Sequence, residues 1–104
     1  PAPRGRERVL LVEDDAVVRE LSRRSLERHG YDVLLADDGV AALDAFAAAR
    51  DTIDVLVTDV VMPRLGGRDL ASALRATNPG LRVLFVSDVG AGKFFQRSTV
   101  SLVG

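Results

Sequence analysis

The chain has 104 residues and is 47% hydrophobic, which suits one small domain around a single core and excludes wholesale disorder. Its 14 basic and 15 acidic residues give a net charge of -1, so we expect no general attraction to nucleic acid or to an anionic membrane. The absence of cysteine excludes disulfides and thiolate metal sites, and no apolar run approaches the roughly 20 residues of a membrane span. These features predict a cytoplasmic domain that makes no membrane contact of its own.

The amino-terminal part of the chain combines a linker with a first strand and a first helix. Residues 1–7 are rich in proline, glycine and arginine, a composition typical of a linker. Residues 9–15, VLLVEDD, form a short apolar run that ends in acids, which predicts a buried strand. Asp15 then caps a helix that extends to about His29 and stops at Gly30. The predicted inner face of this helix consists of Val18, Leu21 and Leu26.

Three further strands and two helices follow in the same alternation. Continuous apolar runs, which predict strands buried on both faces, occupy residues 31–36, 53–59 and 81–87. A second helix starts at Asp38 and Gly39, and a third extends from Gly67 to about Ala76. The predicted inner face of the second helix consists of Val40, Leu43, Phe46 and Ala47. This alternation of strand and helix predicts an α/β fold with a doubly wound parallel sheet.

Polar side chains end three of the predicted strands, namely Glu13 and Asp14, then Asp59, then Ser87. Ligand sites in parallel α/β sheets lie beyond the carboxyl ends of the strands, so adjacent strands would bring these groups into one crevice. Carboxylates in such proximity repel one another, and an oxygen-only set without Cys or His suits Mg²⁺ or Mn²⁺. A carboxylate beside such an ion can act as a nucleophile and form an aspartyl phosphate, so we predict that Asp59 does chemistry.

Three stretches of the chain resemble the receiver domains of response regulators in two-component signalling. VLLVEDD (9–15) resembles the family's first strand with its acidic pair, and VLVTDVVMPRLGGRDL (55–70) resembles its phosphoacceptor strand and following loop. LRVLFVS (81–87) resembles its fourth strand with a hydroxyl residue. The resemblance covers residues 8–88, the predicted receiver domain. The sequences of these motifs are most similar to those of receivers of hybrid sensor histidine kinases. It implies a flavodoxin-like sheet with strand order 2-1-3-4-5.

The resemblance also implies a role for each residue of the acidic crevice. Asp59 matches the phosphoacceptor, and Glu13 and Asp14 match the acidic pair that holds Mg²⁺ together with it. Val61 matches the residue whose backbone carbonyl ligates the metal, and Ser87 matches the hydroxyl that moves toward the phosphoryl group. The implied phosphodonor is a histidine kinase or a histidine phosphotransfer domain. Such a domain is a signalling phosphoacceptor that catalyses only its own modification, not an ordinary turnover enzyme.

The resemblance fails after Ser87. The family continues with a fourth helix, a fifth strand that ends in lysine, and a fifth helix, whereas this chain continues with DVGAGKFFQRSTVSLVG. The only lysine, Lys93, lies six residues past Ser87, and the family's lysine role is therefore not assigned to it. We expect residues 89–104 to diverge, either as a makeshift fifth strand at 99–103 or without regular structure, so that the family's fifth strand and last helix are missing or atypical. An unpaired apolar edge there would favour a homodimer.

Other functions fit the sequence less well. The main alternative is a pseudo-receiver that acts only as a protein-interaction module, because the usual lysine and carboxyl-terminal elements are absent. A Mg²⁺-dependent phosphatase with an aspartyl nucleophile would need an acid two residues after Asp59, where Val61 stands. His29 precedes Gly30 at a predicted helix end, a position that favours interaction with the helix dipole over phosphodonation. Residues 90–93, GAGK, lack the flanking residues of a phosphate-binding loop.

Overall fold

The predicted alternation of strands and helices is present in the structure. The computed structural model describes residues 7–49, 52–89 and 92–97. These contain, in chain order, β1 (Arg8–Val12), α1 (Ala16–Arg28), β2 (Asp32–Ala36), α2 (Gly39–Ala49), β3 (Val55–Asp59), α3 (Gly67–Thr77), β4 (Arg82–Val89) and β5 (Gly92–Arg97). None of the helices in these ranges has both the length and the apolar character needed to cross a membrane.

Four neighbouring strands run parallel in the order β2-β1-β3-β4, which confirms the predicted flavodoxin-like arrangement. All five residues of β3 are buried, as expected for a central strand that is covered on both faces. Leu56 belongs to the larger apolar cluster, which includes Phe46 of α2 and Leu70 of α3. Its neighbour Val57 belongs to a second cluster on the opposite face, against which Leu26 of α1 packs. Consecutive side chains of the strand therefore pack into two separate apolar clusters, because they point to opposite faces of the sheet.

The fifth strand is atypical because it runs antiparallel to β4. Ser87 lies opposite Phe94 in the register, and Val89 lies opposite Gly92. Only residues 90 and 91 connect the two strands, and a connection this short permits a hairpin, whereas a parallel crossover needs a dozen residues or more. The strand lies upstream of the segment 99–103 that was proposed for it, and that segment lies outside the described residues.

The inner face of α2 differs from the prediction. Val40 and Leu43 are 46% and 37% exposed, so they do not form the core-facing stripe that their hydrophobicity suggested. The buried residues of the helix are Gly39, Ala42 and Phe46. Gly39 approaches Leu65 so closely that an added Cβ would lie 2.7 Å from the Leu65 Cβ. This close approach leaves no room for a side chain at position 39, so Gly39 faces inward. Of the predicted inner face only Phe46 is buried, since Ala47 is exposed as well.

The inner face of α1 also differs in one position. Leu21 is 60% exposed, and Val17, on the same side of the helix, is 68% exposed. Val18 and Leu26 are half-buried, in agreement with the prediction. The Arg19 guanidinium donates a hydrogen bond to the Glu13 carbonyl oxygen at 2.7 Å. The helix packs through the face that contains Val18 and Leu26, and Leu21 lies outside that face.

The predicted helix ends are confirmed. One Asp15 oxygen accepts hydrogen bonds from the amides of Val17 and Val18 at 2.9 and 3.0 Å, which makes Asp15 the N-cap of α1. Asp38 acts likewise for α2, since its Oδ1 accepts a hydrogen bond from the Ala41 amide at 2.8 Å. At the other end of α1, the His29 Nδ1 lies 2.8 Å from the Ser25 carbonyl oxygen, which agrees with the structural interpretation of this histidine.

Candidate functional site

The strands that end in acids are neighbours, so their carboxyl ends lie at one edge of the sheet. Glu13 and Asp14 directly follow β1, and Asp59 is the last residue of β3. Asp59 lies opposite Val86 in the register, which places Ser87 one residue further along the same edge. One carboxylate oxygen from each of Glu13, Asp14 and Asp59 lies within 4.8 Å of the others. The predicted convergence of the acids is therefore confirmed, and we call these three residues the acidic cluster.

Two members of the acidic cluster are almost completely buried. Glu13 is 2% exposed and Asp59 is 6% exposed, whereas Asp14 is exposed. The Asp15 amide donates a hydrogen bond to the Glu13 Oε2 at 2.9 Å, which satisfies part of the buried charge. Clustered negative charges that are removed from water are costly, and a divalent cation between them offsets the repulsion.

The donor atoms of the acidic cluster fit Mg²⁺. Magnesium binds oxygen at about 2.1 Å in octahedral geometry, so two of its ligands lie at most about 4.2 Å apart. The three carboxylate oxygens lie within 4.8 Å of one another, a spacing close to this limit. The cluster consists of carboxylates only, an oxygen set that Mn²⁺ also accepts.

The loop between β3 and α3 is anchored on both sides of Val61, which is 80% exposed. The next residue, Met62, is 8% exposed, and its sulfur lies 3.9 Å from the Thr58 hydroxyl oxygen, which donates a hydrogen bond to the Asp59 carbonyl oxygen at 3.0 Å. Further along, the Gly67 amide donates to the Val60 carbonyl oxygen at 2.9 Å. The predicted role of Val61 therefore depends on its backbone carbonyl, since its side chain contributes little to packing.

Comparison with known protein families matches residues 9–100 to the response regulator receiver domain. The chain belongs to the response regulator receiver family. The match includes the acidic cluster, the three helices of the described residues and both strands of the β4–β5 hairpin. As a receiver domain, the chain is a signalling domain of two-component systems and not a classical enzyme.

Individual relatives support the same assignment for the receiver domain. The response regulator MprA of Mycobacterium avium is 50% identical over 80 residues, which are 77% of this chain and 34% of that protein. The chain thus spans about a third of the length of such relatives. A solved receiver domain from the hybrid histidine kinase CckA is 40% identical, with a TM-score of 0.71, and the alignment covers 75% of this chain and 72% of that one.

A third relative was solved with a metal and a phosphoryl mimic. The response regulator protein TrrA from Thermotoga maritima, in complex with Mg²⁺ and BeF, is 26% identical with a TM-score of 0.75. The alignment covers 82% of this chain and 72% of TrrA. The relatives include both response regulators and a hybrid kinase receiver, so the narrower resemblance to hybrid kinases stays a prediction.

Two contacts at the rim of the site were not predicted from the sequence. Arg64 adopts a positive φ of 68° and forms an ion pair with Asp38. Next to it, Leu65 packs against Gly39. Together these contacts tie the loop that follows Asp59 to the start of α2. The paired residues are far apart in sequence and belong to different loops, so no periodic pattern signals them.

Proposed function

We propose that this receiver domain accepts a phosphoryl group on the carboxylate of Asp59, from a phosphohistidine of a histidine kinase or a histidine phosphotransfer domain. The convergence of Glu13, Asp14 and Asp59 within 4.8 Å at the carboxyl edge of the sheet carries the proposal. Membership of the receiver family adds support, because it assigns the chain to two-component signalling. Further support comes from the complex of TrrA with Mg²⁺ and BeF.

The metal would be held by residues that come from two neighbouring strands. Glu13, Asp14 and Asp59 would contribute carboxylate oxygens, and Val61 would contribute its backbone carbonyl. Bound there, Mg²⁺ (or Mn²⁺) supplies charge neutralisation for the transferring phosphoryl group. The two buried carboxylates are held in place by the strands themselves, whereas the exposed Asp14 can adjust as the ion enters.

Transfer to Asp59 exchanges one bond to phosphorus for another. A carboxylate oxygen of Asp59 forms the new O–P bond while the N–P bond of the phosphohistidine breaks. The departing imidazole nitrogen keeps the bonding electron pair and takes up a proton. Because Asp59 is 6% exposed, water has limited access to the acyl phosphate that results. The Ser87 hydroxyl, in the neighbouring strand β4, would donate a hydrogen bond to a phosphoryl oxygen.

The same proposal places the domain in the cytoplasm, with proteins and not nucleic acid as its partners. The proposal includes a homodimer that forms through the outer edge of β5. Among the described strands β5 pairs only with β4, and the backbone groups of a strand edge can pair with a second copy of the chain. Sedimentation equilibrium over a range of protein concentrations measures this association. A monomer at every concentration would contradict the dimer and leave the phosphoacceptor role untouched.

Intact mass after incubation with acetyl phosphate and Mg²⁺ tests the phosphoacceptor role. The wild-type chain is expected to gain one phosphoryl group that is stable in acid and labile in base, as an acyl phosphate should be. The Asp59→Asn variant lacks the nucleophilic carboxylate and is expected to gain none. A wild-type chain that is folded and binds Mg²⁺ but gains no phosphoryl group would contradict the proposal and support the pseudo-receiver.

A further inference from the structure

The loop between β3 and α3 contains a turn of an uncommon kind. Arg64 has a φ of 68°, and among the residues that the structure describes it is the only one other than glycine with a positive φ. The Leu65 amide donates a hydrogen bond to the Pro63 carbonyl oxygen at 2.7 Å, so these three residues form a γ-turn with Arg64 at its centre. A γ-turn with positive φ is rare and strained. A residue other than glycine keeps such a conformation only where surrounding contacts hold it there.

Two contacts with the start of α2 hold the γ-turn in place. The Arg64 guanidinium forms an ion pair with the Asp38 carboxylate, which we call the cross-loop ion pair. The next residue, Leu65, lies so close to Gly39 that an added Cβ there would be 2.7 Å from the Leu65 carbonyl oxygen. The strained residue and its neighbour are therefore both fixed against the same helix.

Asp38 is an ordered partner for Arg64 because α2 already engages it. Its Oδ1 accepts a hydrogen bond from the Ala41 amide at 2.8 Å, while its Oδ2 faces Arg64. The Asp38 backbone carbonyl also accepts a hydrogen bond, from the Ala42 amide at 3.0 Å. The Asp38 side chain is 16% exposed, against 65% for Arg64. An ion pair with one partner already ordered costs less side-chain entropy than a pair between two mobile side chains, so this pair can anchor the loop.

The anchored loop carries a residue that we propose as a metal ligand. Val61 precedes Arg64 by three residues, and its side chain is 80% exposed. Its neighbour Val60 is fixed through its carbonyl oxygen, which accepts a hydrogen bond from the Gly67 amide at 2.9 Å. The cross-loop ion pair adds a fixed point on the other side of Val61. A ligand that is already ordered binds an ion more tightly than one that must become ordered as the ion binds.

We propose that Arg64 is a positioning residue for the metal site. Its ion pair with Asp38 holds the loop in the γ-turn and thereby orders Val61 for Mg²⁺. This inference rests on the proposed roles of Asp59 and Val61 in binding the ion. It makes the start of α2 a support of the metal site, although none of the proposed ligands belongs to that helix.

Two single substitutions separate positioning from simple electrostatics. Arg64→Gln removes a positive charge, which by itself would strengthen Mg²⁺ binding, and Asp38→Asn removes a negative charge, which by itself would weaken it. Asparagine caps a helix about as well as aspartate, so Asp38→Asn preserves the start of α2. Because each substitution breaks the same ion pair, we expect both variants to bind Mg²⁺ about fivefold more weakly than the wild type. Calorimetric titration of the full chain with Mg²⁺ measures the affinities.

The double variant and a conservative variant sharpen the test. Arg64→Gln combined with Asp38→Asn is expected to lose no more affinity than either single variant, because the pair is broken only once. Electrostatics alone would instead return the double variant to the wild-type affinity. Arg64→Lys keeps the charge and is expected to retain most of the affinity. The inference is overturned by an Arg64→Gln variant that binds Mg²⁺ as tightly as the wild type, or by an Arg64→Lys variant as weak as Arg64→Gln.

Amide hydrogen exchange in EDTA tests the cross-loop ion pair without any metal. The Gly67 amide, which bonds to the Val60 carbonyl, is expected to exchange about fivefold faster in Arg64→Gln than in the wild type, because the loop opens more often. The amide of Leu56, within the buried strand β3, is expected to exchange at the wild-type rate. Equal acceleration at both amides would indicate general destabilisation and overturn the inference.

Arg82→Gln is a matched control for the loss of an ion-paired arginine. Arg82 is also exposed and pairs with Glu7, but it lies at the start of β4, at the opposite edge of the sheet from the acidic cluster. Its Mg²⁺ affinity and Gly67 exchange are expected to equal those of the wild type, and losses as large as those of Arg64→Gln would overturn the inference. A folded wild-type chain that binds no Mg²⁺ contradicts the proposed metal site itself. Wild-type Mg²⁺ binding that Arg64→Gln leaves unchanged contradicts only the role of Arg64.

Discussion

The Gly67→Ala variant is expected to lose about 3 kcal/mol of folding free energy and most of its Mg²⁺ affinity. Gly67 is the first residue of α3, and an added Cβ would lie 2.1 Å from the Asp59 carbonyl oxygen and 3.0 Å from its carbonyl carbon. Both are backbone atoms, so the start of α3 or the end of β3 must move by roughly 1 Å to relieve the overlap. A shift of that size at Asp59 disturbs the acidic cluster as well as the packing. Urea unfolding measures the first loss and calorimetric titration with Mg²⁺ measures the second.

Two other glycines provide graded controls for this steric explanation. An added Cβ at Gly66 would lie 3.2 Å from the Val60 carbonyl oxygen, and at Gly80 it would lie 3.8 Å from the Asn78 side-chain oxygen. The expected order of destabilisation is therefore Gly67→Ala, then Gly66→Ala, then Gly80→Ala, with the last close to the wild type. If Gly80→Ala destabilised the domain as much as Gly67→Ala, the effect would belong to glycine loss in general and not to the contact with Asp59.

The Asp14→Asn variant is expected to lower Mg²⁺ affinity at least about tenfold and, at the same time, to raise the stability of the metal-free domain. Both effects follow from removing one of three carboxylates that lie within 4.8 Å of one another. Because Asp14 is exposed, the substitution leaves the core unchanged. Thermal unfolding in EDTA and in Mg²⁺ measures both effects. The wild type should gain about 2.7 kcal/mol at a Mg²⁺ concentration one hundred times Kd, and the variant should gain less at that same concentration.

Asp44→Asn is the matched control for the acidic cluster. Asp44 is also exposed and loses the same charge, but it lies in the middle of α2 and outside the cluster. Its Mg²⁺ affinity is expected to equal that of the wild type. The repulsion argument would be wrong if Asp14→Asn were less stable than the wild type in EDTA, or if both variants lost the same Mg²⁺ affinity.

The acidic cluster was predictable because it depends on what directly follows each buried strand. Apolar runs mark β1 and β3, and acids that come straight after parallel strands must lie at the same edge of the sheet. The caps at Asp15 and Asp38 were predictable for a similarly local reason, since each bonds to amides within three residues. Such features require no knowledge of how the helices pack.

Features that depend on contacts between distant segments were less predictable. Leu21 and Leu43 are hydrophobic enough to belong to a core, yet they are 60% and 37% exposed, because each helix packs with a different face. Hydrophobicity alone does not reveal that Gly39 must approach Leu65, which is what orients α2. The direction of β5 is set by a connection of two residues, and the apolar pattern of 92–97 is the same for a strand of either direction.

The edge strand β5 can separate from the sheet without the strands that hold the acidic cluster. Among the described strands β5 pairs with β4 alone, whereas β4 is also held by β3, so separating β5 leaves the parallel strands intact. Asp59 and Ser87 belong to β3 and β4, so the pairing that sets their register remains when β5 separates. Substitutions in β5 that favour this local opening are therefore expected to leave the Mg²⁺ affinity of the acidic cluster close to that of the wild type.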